Sequence, residues 1–309
     1  MTENKIYRIR IPATTANIGS GFDVLGISLG LYNTVEFEAV PGVDLYDTDI
    51  RVEGEGQDQI EKGRRNMILR AMEVTADKAG RSICGGHMKL INRIPLARGL
   101  GSSSAALASG VFLSNYLMDF PFNTMDLLNI TSNMEGHPDN AAPAILGGFC
   151  VSALYNGQVT AERIDIPLSW KAVVVIPDFE LFTEKARAVL PAEYKRNDVV
   201  HNISAVSFLM LAFMSQKPEY LGLGLDDKIH VPYRLHLIPG AKEAIHNALA
   251  QGAYGATISG SGPTIIAFTS AEKSDEVGKA MVQGFKKMSI DSRYLVLDFD
   301  HDGISVIQY

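Results

Sequence analysis

The sequence predicts an α+β chain folded as two packed lobes, and three observations predict it. Strand-like stretches with period-two alternation are interleaved with helix-length apolar stretches along the whole chain. The 309 residues exceed a single small module and suggest about two domains at roughly 100 to 200 residues each. Three glycine-rich segments, Pro12 to Gly26, Pro95 to Ala106 and Ile258 to Pro263, lie far apart in the chain, where a cleft between two halves would let them meet.

Residues 5–11 alternate so that Tyr7, Ile9 and Ile11 share one face, and Val35, Phe37 and Ala39 repeat the pattern; both read as half-buried strands. From Ser102 the residues turn small and apolar, and Ala105 to Tyr116 is long enough for a helix entered through Gly-Leu-Gly. Thr124 is placed to cap a second helix reaching about Met134, with Asp126 in its first turn. The run Ala172 to Ile176, ended by Pro177, predicts a buried strand and the start of a second domain, with the boundary near 160–170. Thr183 is placed to cap a helix carrying Arg187, and Asp198 one running through Val199–Met214. Pro239 opens a helix that Gly252 closes. Residues 254–259 and 264–268 read as strands joined by Gly260-Ser261-Gly262-Pro263, followed by a helix over 271–288 and strands near 294–298 and 304–307.

Composition excludes several classes. Lys+Arg number 28 against 35 Asp+Glu, a formal net charge of −7, the wrong sign for a nucleic-acid footprint, so any anionic ligand must be held locally. Cys84 and Cys150 form no C-x-x-C or Cys/His cluster; neither a disulfide framework nor a zinc site is indicated, and both are expected to be small buried side chains. The N-terminus lacks the apolar core of a signal peptide, and the apolar stretch Val206 to Met214 falls short of the roughly 20 residues a bilayer requires, so a soluble cytoplasmic protein away from membranes is expected. The P-loop, dinucleotide, EF-hand and zinc-protease motifs are absent.

The middle glycine segment carries the sharpest chemistry. Gly99 and Gly101 let the backbone approach a ligand closely, and the serines lead into a helix N-terminus whose free N–H groups and dipole suit phosphate without any net basic charge. Two other readings stay open: a turn with a Ser cap, and a nucleophile elbow, since Gly101-Ser-Ser-Ser-Ala105 is a loose G-x-S-x-A variant. The second glycine of an elbow is missing, and Gly-Leu-Gly favours the phosphate cradle.

Pro95-x-x-x-Gly-Leu-Gly-Ser-Ser103 resembles the central phosphate-binding motif of the GHMP small-molecule kinases. PATTANIGSGFDVLG at 12–26 and SGSGPT at 259–264 are similar to that family's first and third motifs, in the same order and across nearly the whole chain. Asn17, Gly21-Phe-Asp23, Glu135-Gly-His-Pro-Asp-Asn140 and Tyr233-Arg234 resemble the branch that acts on L-homoserine rather than on galactose or mevalonate.

The resemblance implies a two-lobed fold: an N-terminal nucleotide-binding α+β domain over 1–165 and a C-terminal ferredoxin-like α/β sandwich domain over 166–309. It implies ATP as co-substrate with Mg²⁺, L-homoserine as acceptor, and no nucleic-acid or membrane partner, with a homodimer left open. It places ATP on Asn66, Pro95, Leu96, Ala97, Arg98, Gly99, Leu100, Gly101, Ser102, Ser103, Ser104 and Ala105, and the metal on Ser103 and Glu135. The amino-acid pocket would comprise Asn17, Asp23, His137, Arg187 and Arg234, with the arginines as bidentate forks for the carboxylate and Asp23 for the ammonium. Asn17 and Asn140 would orient the hydroxyl, and Arg187 would stabilise charge on the transferred group. Each residue also has a plainer use: an ordinary surface position for either arginine, an Asx turn for Asp23, a loop hydrogen bond for His137, a solvent-facing helix cap for Asn66 and a local ion pair for Glu135. Asn140 cannot act as a base, which leaves Asp139 as base, or no side-chain base at all. The rivals are another GHMP kinase, of mevalonate or sugar type, and a catalytically silent metabolite sensor.

Overall fold

The structure is a computed structural model that describes residues 6–165 and 169–308. The first lobe opens with β1 (Ile6–Ala16) and β2 (Leu25–Ala39), an antiparallel pair whose alternating residues Tyr7, Ile9 and Ile11 turn into the core as the periodicity predicts. β3 (Asp49–Gly54), α1 (Met67–Lys78), β4 (Gly86–Asn92), α2 (Ser102–Leu117), α3 (Thr124–Glu135), α4 (Ala141–Leu146), β5 (Phe149–Tyr155) and β6 (Gln158–Ile164) follow. The second part begins with β7 (Trp170–Pro177) and continues through α5 (Thr183–Ala188), α6 (Arg196–Met214), α7 (Leu221–Gly224), α8 (Val231–Arg234), α9 (Ala241–Ala250), β8 (Gly255–Ile258), β9 (Ile265–Ser270), α10 (Ser274–Lys286), β10 (Ser292–Leu297) and β11 (Ser305–Gln308).

One sheet runs β11-β1-β2-β4-β3, with β5 pairing β2 and β6 pairing β5; only β3 against β4 is parallel. The other runs β10-β7-β9-β8 and is antiparallel throughout. In chain order the second sheet is 4-1-3-2, with α9 before β8 and α10 before β10: the β-α-β-β-α-β arrangement of a ferredoxin-like sandwich. Its core of Val173, Val175, Ile258, Ile265 and Phe285 is separate from the larger core around β1, β2 and α2.

The expected division after residue 165 abuts 166–168, which lie outside the described residues, as does Lys5 of the first predicted strand. The last strand, β11, pairs with β1 and so returns to the first sheet. The sequence could not show this, because a four-residue strand carries no record of its partner.

Several caps differ from expectation. Asn123, not Thr124, caps α3, accepting from the Asp126 N–H while the Asp126 carboxylate accepts from the Asn123 N–H, a reciprocal capping box. α5 begins at Thr183 itself after Phe182, and α6 begins at Arg196, which leaves Asp198 in its first turn. α9 starts at Ala241 after Gly240 rather than at Pro239. Cys150 is buried and its thiol pKa is pushed up to about 12 by that burial, whereas Cys84 is only half-buried. The nine-residue apolar stretch belongs to α6, which is long and apolar enough by length and composition to cross a bilayer. Four of its residues, Ala205, Leu209, Ala212 and Phe213, are buried, with the Phe213 ring 4.4 Å from Phe149 and 5.5 Å from Trp170, while Ile203, Leu211 and Met214 on it are exposed.

Candidate active site

The three glycine-rich segments meet. Gly99 and Gly101 take φ of +73° and +71°, which lets the middle segment fold tightly against the other two. The Thr14 N–H donates to Leu100 O at 3.2 Å, the Gly260 N–H to Ala16 O at 3.1 Å, and the Ser259 hydroxyl to Gly99 O at 2.6 Å. They form one wall of a cleft of about 510 Å³ whose lining also includes Asn66, Glu135, His137, Asn140, Arg187 and Arg234. Most of the residues singled out along the sequence therefore line one space.

α2 starts after Gly101, an N-cap with no side chain to cap it, so the first-turn N–H groups of Ser102 and Ser103 are left open beside the cleft. Arg98, the one cation of the loop, is spent elsewhere: its guanidinium donates to Pro177 O and Leu96 O at 3.2 Å and lies near Asp178 and Glu180. Leu96, Ala97 and Ala105 line the cleft. Three residues expected to hold nucleotide do not present side chains to it. Leu100 and Ser104 are buried, and Pro95 lines a smaller depression behind the loop, because successive residues of a tight loop and helix start point in different directions. Asn66 lines the cleft as the buried cap of α1, its carbonyl oxygen accepting from the Ile68 and Leu69 N–H groups and its amide donating to Glu61 O. The cap is real but faces the cavity rather than solvent.

Ser103 and Glu135 are in contact, the hydroxyl donating to the carboxylate at 2.9 Å. Burial raises the Glu135 pKa, against the lowering effect of the Ser103 hydrogen bond and of His137. No group of three or more His, Cys, Asp or Glu residues that could hold a metal occurs among the described residues.

Asn17, buried at a left-handed φ of 69°, spends both ends of its amide on backbone: Oδ1 accepts from the Asp23 N–H at 3.0 Å and Nδ2 donates to Gly260 O at 2.9 Å. It staples the first loop to the third. Asn140 is held differently. Asp139, an acceptor when ionised, lies 3.4 Å from its Nδ2, so the opposite side of the amide is Oδ1, which accepts from the Thr14 hydroxyl at 2.7 Å. Both ends of the Asn140 amide therefore have a protein partner, with one Nδ2 hydrogen left beyond the Asp139 contact. His137 Nδ1 is 2.5 Å from Asp139 Oδ1; burial opposes protonation of this imidazole, but the bond to Asp139 and its charge outweigh burial and raise the pKa.

The charged groups differ from expectation in their partners. Arg187 forks onto Asp23 with two hydrogen bonds of 2.9 and 2.7 Å, so the cation and anion expected to hold opposite ends of a substrate hold each other. The Asp23 bonds come first among the causes that raise the Arg187 pKa. Arg234 is 1% exposed: Nε donates to Ala186 O, and Nη1 donates to Gly260 O and to His230 Nδ1. Nη2 alone is left for the cleft, so Arg234 offers one nitrogen rather than a bidentate fork. Burial, then the charge of Arg187, lower its pKa to about 10, well above neutrality. Phe22 lies under both guanidinium groups, 5.6 Å from Arg187 and 5.2 Å from Arg234. Thr14, Asp227 and His230 are not singled out by the sequence, and Phe22 enters only as the middle of Gly21-Phe-Asp23. Thr14 and Phe22 sit inside the first glycine segment, but Asp227 and His230 carry no motif signal beyond standing just before Tyr233-Arg234.

The chain matches the GHMP kinases N terminal domain over residues 66–148 and the GHMP kinases C terminal domain over 212–287. It is 41% identical over 282 residues to a homoserine kinase from Moorella thermoacetica, covering 91% of this chain and 93% of that one. It is 39% identical over 305 residues to a homoserine kinase from Synechocystis sp., covering 97% and 98%. The chain belongs to the homoserine kinase family. The fold agrees: a crystal structure of homoserine kinase from Cytophaga hutchinsonii superposes with a TM-score of 0.87 at 28% identity, covering 99% of this chain and 98% of that chain. A mevalonate kinase structure, 14% identical, shares the fold with a TM-score of 0.70 over 96% of this chain and 99% of that chain. Homoserine kinase family members are ATP-dependent kinases, and this chain is one of them.

Proposed function

We infer that the chain transfers the γ-phosphoryl group of ATP to the side-chain hydroxyl of L-homoserine, forming O-phospho-L-homoserine and ADP on the route to threonine. The observation that carries this reading is the Asp23–Arg187 pair beside the free Nη2 of Arg234, at the glycine-loop end of one cleft. Homoserine is a zwitterion. Its ammonium can take the place of Arg187 on Asp23 while its carboxylate takes the place of Asp23 on Arg187 and meets Arg234, so opening the pair is offset at both ends. Mevalonate and sugars bring no ammonium to Asp23.

ATP lies with its phosphates on the N–H groups of Gly99 to Ser103, as the uncapped α2 terminus favours. Ser103 and Glu135 are the residues that would hold Mg²⁺: a hydroxyl and one carboxylate are hard oxygen ligands already in contact, with room for water and phosphate oxygens, and a cation would offset the buried charge of Glu135. Bound there, Mg²⁺ supplies charge neutralisation on the phosphates. Asn140, which lines the cleft and keeps one Nδ2 hydrogen beyond its contact with Asp139, donates to an oxygen of the reacting groups and takes no proton. Asp139 braces His137 and Asn140, and the transfer runs on positioning and electrostatic stabilisation, with the hydroxyl proton passing late to the phosphoryl group. We place the enzyme in the cytoplasm, acting on small molecules.

ADP release by purified protein with ATP and Mg²⁺, compared across homoserine, mevalonate, galactose and shikimate, tests the reading. Stimulation by homoserine is expected; none would overturn it. Asp139→Asn is expected to lower kcat by less than the roughly 10² to 10⁴-fold that loss of a general base costs. A fall of about 10³-fold at unchanged KM would make Asp139 the base.

A further inference from the structure

His230 is fully buried, far from the phosphate loop in sequence, and has no part in the chemistry above. Its partners define its protonation. Nε2 lies 2.8 Å from Gly19 O, which only accepts, so Nε2 carries the hydrogen. Nδ1 lies 3.2 Å from Arg234 Nη1, which only donates, so Nδ1 carries the lone pair. One neutral tautomer satisfies both. Burial agrees, holding the imidazole pKa at about 4 against the raising charge of Asp227 and with the lowering charge of Arg234.

The ring is fixed from every side. Asp227 takes the N–H groups of Ile229, His230 and Val231 on its two carboxylate oxygens, at 3.1, 2.7 and 2.7 Å, and so sets the entry of α8. His230 and Arg234 are then four residues apart on one helical face. Phe22 stacks on the ring, with centroids 5.0 Å apart and planes 25° from parallel. Gly19 and Phe22 belong to the first glycine segment, Gly260 to the third, and Ala186 to the helix that carries Arg187. Directly or through His230, these three segments converge on one guanidinium, whose bonds to Ala186, Gly260 and His230 leave Nη2 free.

We propose that His230 is a positioning residue for the amino-acid substrate: bridging Gly19 O and Arg234 Nη1, it holds the Arg234 guanidinium in the plane that aims Nη2 at the substrate carboxylate. This rests on the homoserine reading. It predicts that His230 governs homoserine and leaves ATP alone.

The test compares His230→Phe, His230→Asn and His230→Gln, each checked by thermal melting, with steady-state KM for both substrates and calorimetric binding of L-homoserine. Phe keeps the stack and loses both bonds. Asn places an acceptor where Nδ1 sits, and Gln places a donor toward Gly19 without serving Arg234. His230→Phe is expected to raise the homoserine KM and Kd about tenfold or more, the worth of one hydrogen bond to a charged group, with the ATP KM within about twofold. His230→Asn should recover most of that loss and His230→Gln little. Equal shifts in both KM values, or no advantage of Asn over Gln, would overturn the proposal, and loss of fold in all three variants would assign His230 to the core alone. A wild-type protein that neither binds homoserine nor releases ADP with it would instead remove the functional reading.

Discussion

Gly99→Ala is expected to lower kcat/KM for ATP by about 10²-fold or more, the scale of a displacement of about 1 Å in a positioning group. A Cβ at Gly99 would lie 2.3 Å from Ser259 O and 2.8 Å from Gly262 O. Both are backbone atoms of the third glycine segment, so no side chain can swing away, and the two loops must part. The Ser259 hydrogen bond to Gly99 O is then lost, and the phosphate loop moves from the start of α2. The left-handed φ of +73° adds about 1–3 kcal/mol of backbone strain for a residue with a Cβ. Gly42→Ala separates the two effects. Gly42 has φ of +86° with nothing within 4 Å of a built Cβ, so it should show the strain in a thermal melt and keep its ATP kinetics. Equal ATP kinetics in Gly99→Ala and wild type would remove Gly99 from the nucleotide site.

Arg234→Leu is expected to raise the KM for homoserine about 10²-fold while leaving that for ATP nearly unchanged. The substrate loses a charged partner for its carboxylate, while the loop from Gly99 to Ser103 is untouched. The change also leaves Ala186 O and His230 Nδ1 without their Arg234 donor, while Gly260 O keeps Asn17 Nδ2; a buried unpaired acceptor costs about 1–3 kcal/mol, so a lower melting temperature should accompany the kinetic effect. Arg234→Lys should rescue little, because an ammonium is a point charge and cannot reach these acceptors together in the plane of a guanidinium. Parallel rises in both KM values would argue that Arg234 shapes the whole cleft rather than the amino-acid end.

The glycine loops were legible because their requirement is local. Gly99 and Gly101 need left-handed backbone whatever surrounds them, and a serine-rich helix start after such a turn is an anion site wherever it sits. The strands of the first sheet and the apolar face of β1 were legible for the same reason, since alternation is written residue by residue. Helix starts were read less well at α3, α5 and α6. Neighbouring polar residues compete for one cap, and Asn123 wins over Thr124 through its reciprocal bond with Asp126.

The sequence by itself determined the family, the α+β class, the three loops and the kinds of groups a zwitterion and a triphosphate require. Tertiary structure alone decided which of those groups are free. It paired Asp23 with Arg187, turned Arg98 toward Pro177, spent both ends of the Asn17 amide on backbone, and left Arg234 one nitrogen after His230, Ala186 and Gly260 had taken the rest. It also returned β11 to the first sheet. The physical reason is the range of each effect. Backbone dihedrals and side-chain periodicity act between near neighbours in the chain, whereas a charge or a buried donor takes whichever partner the packing of distant segments brings within about 3 Å.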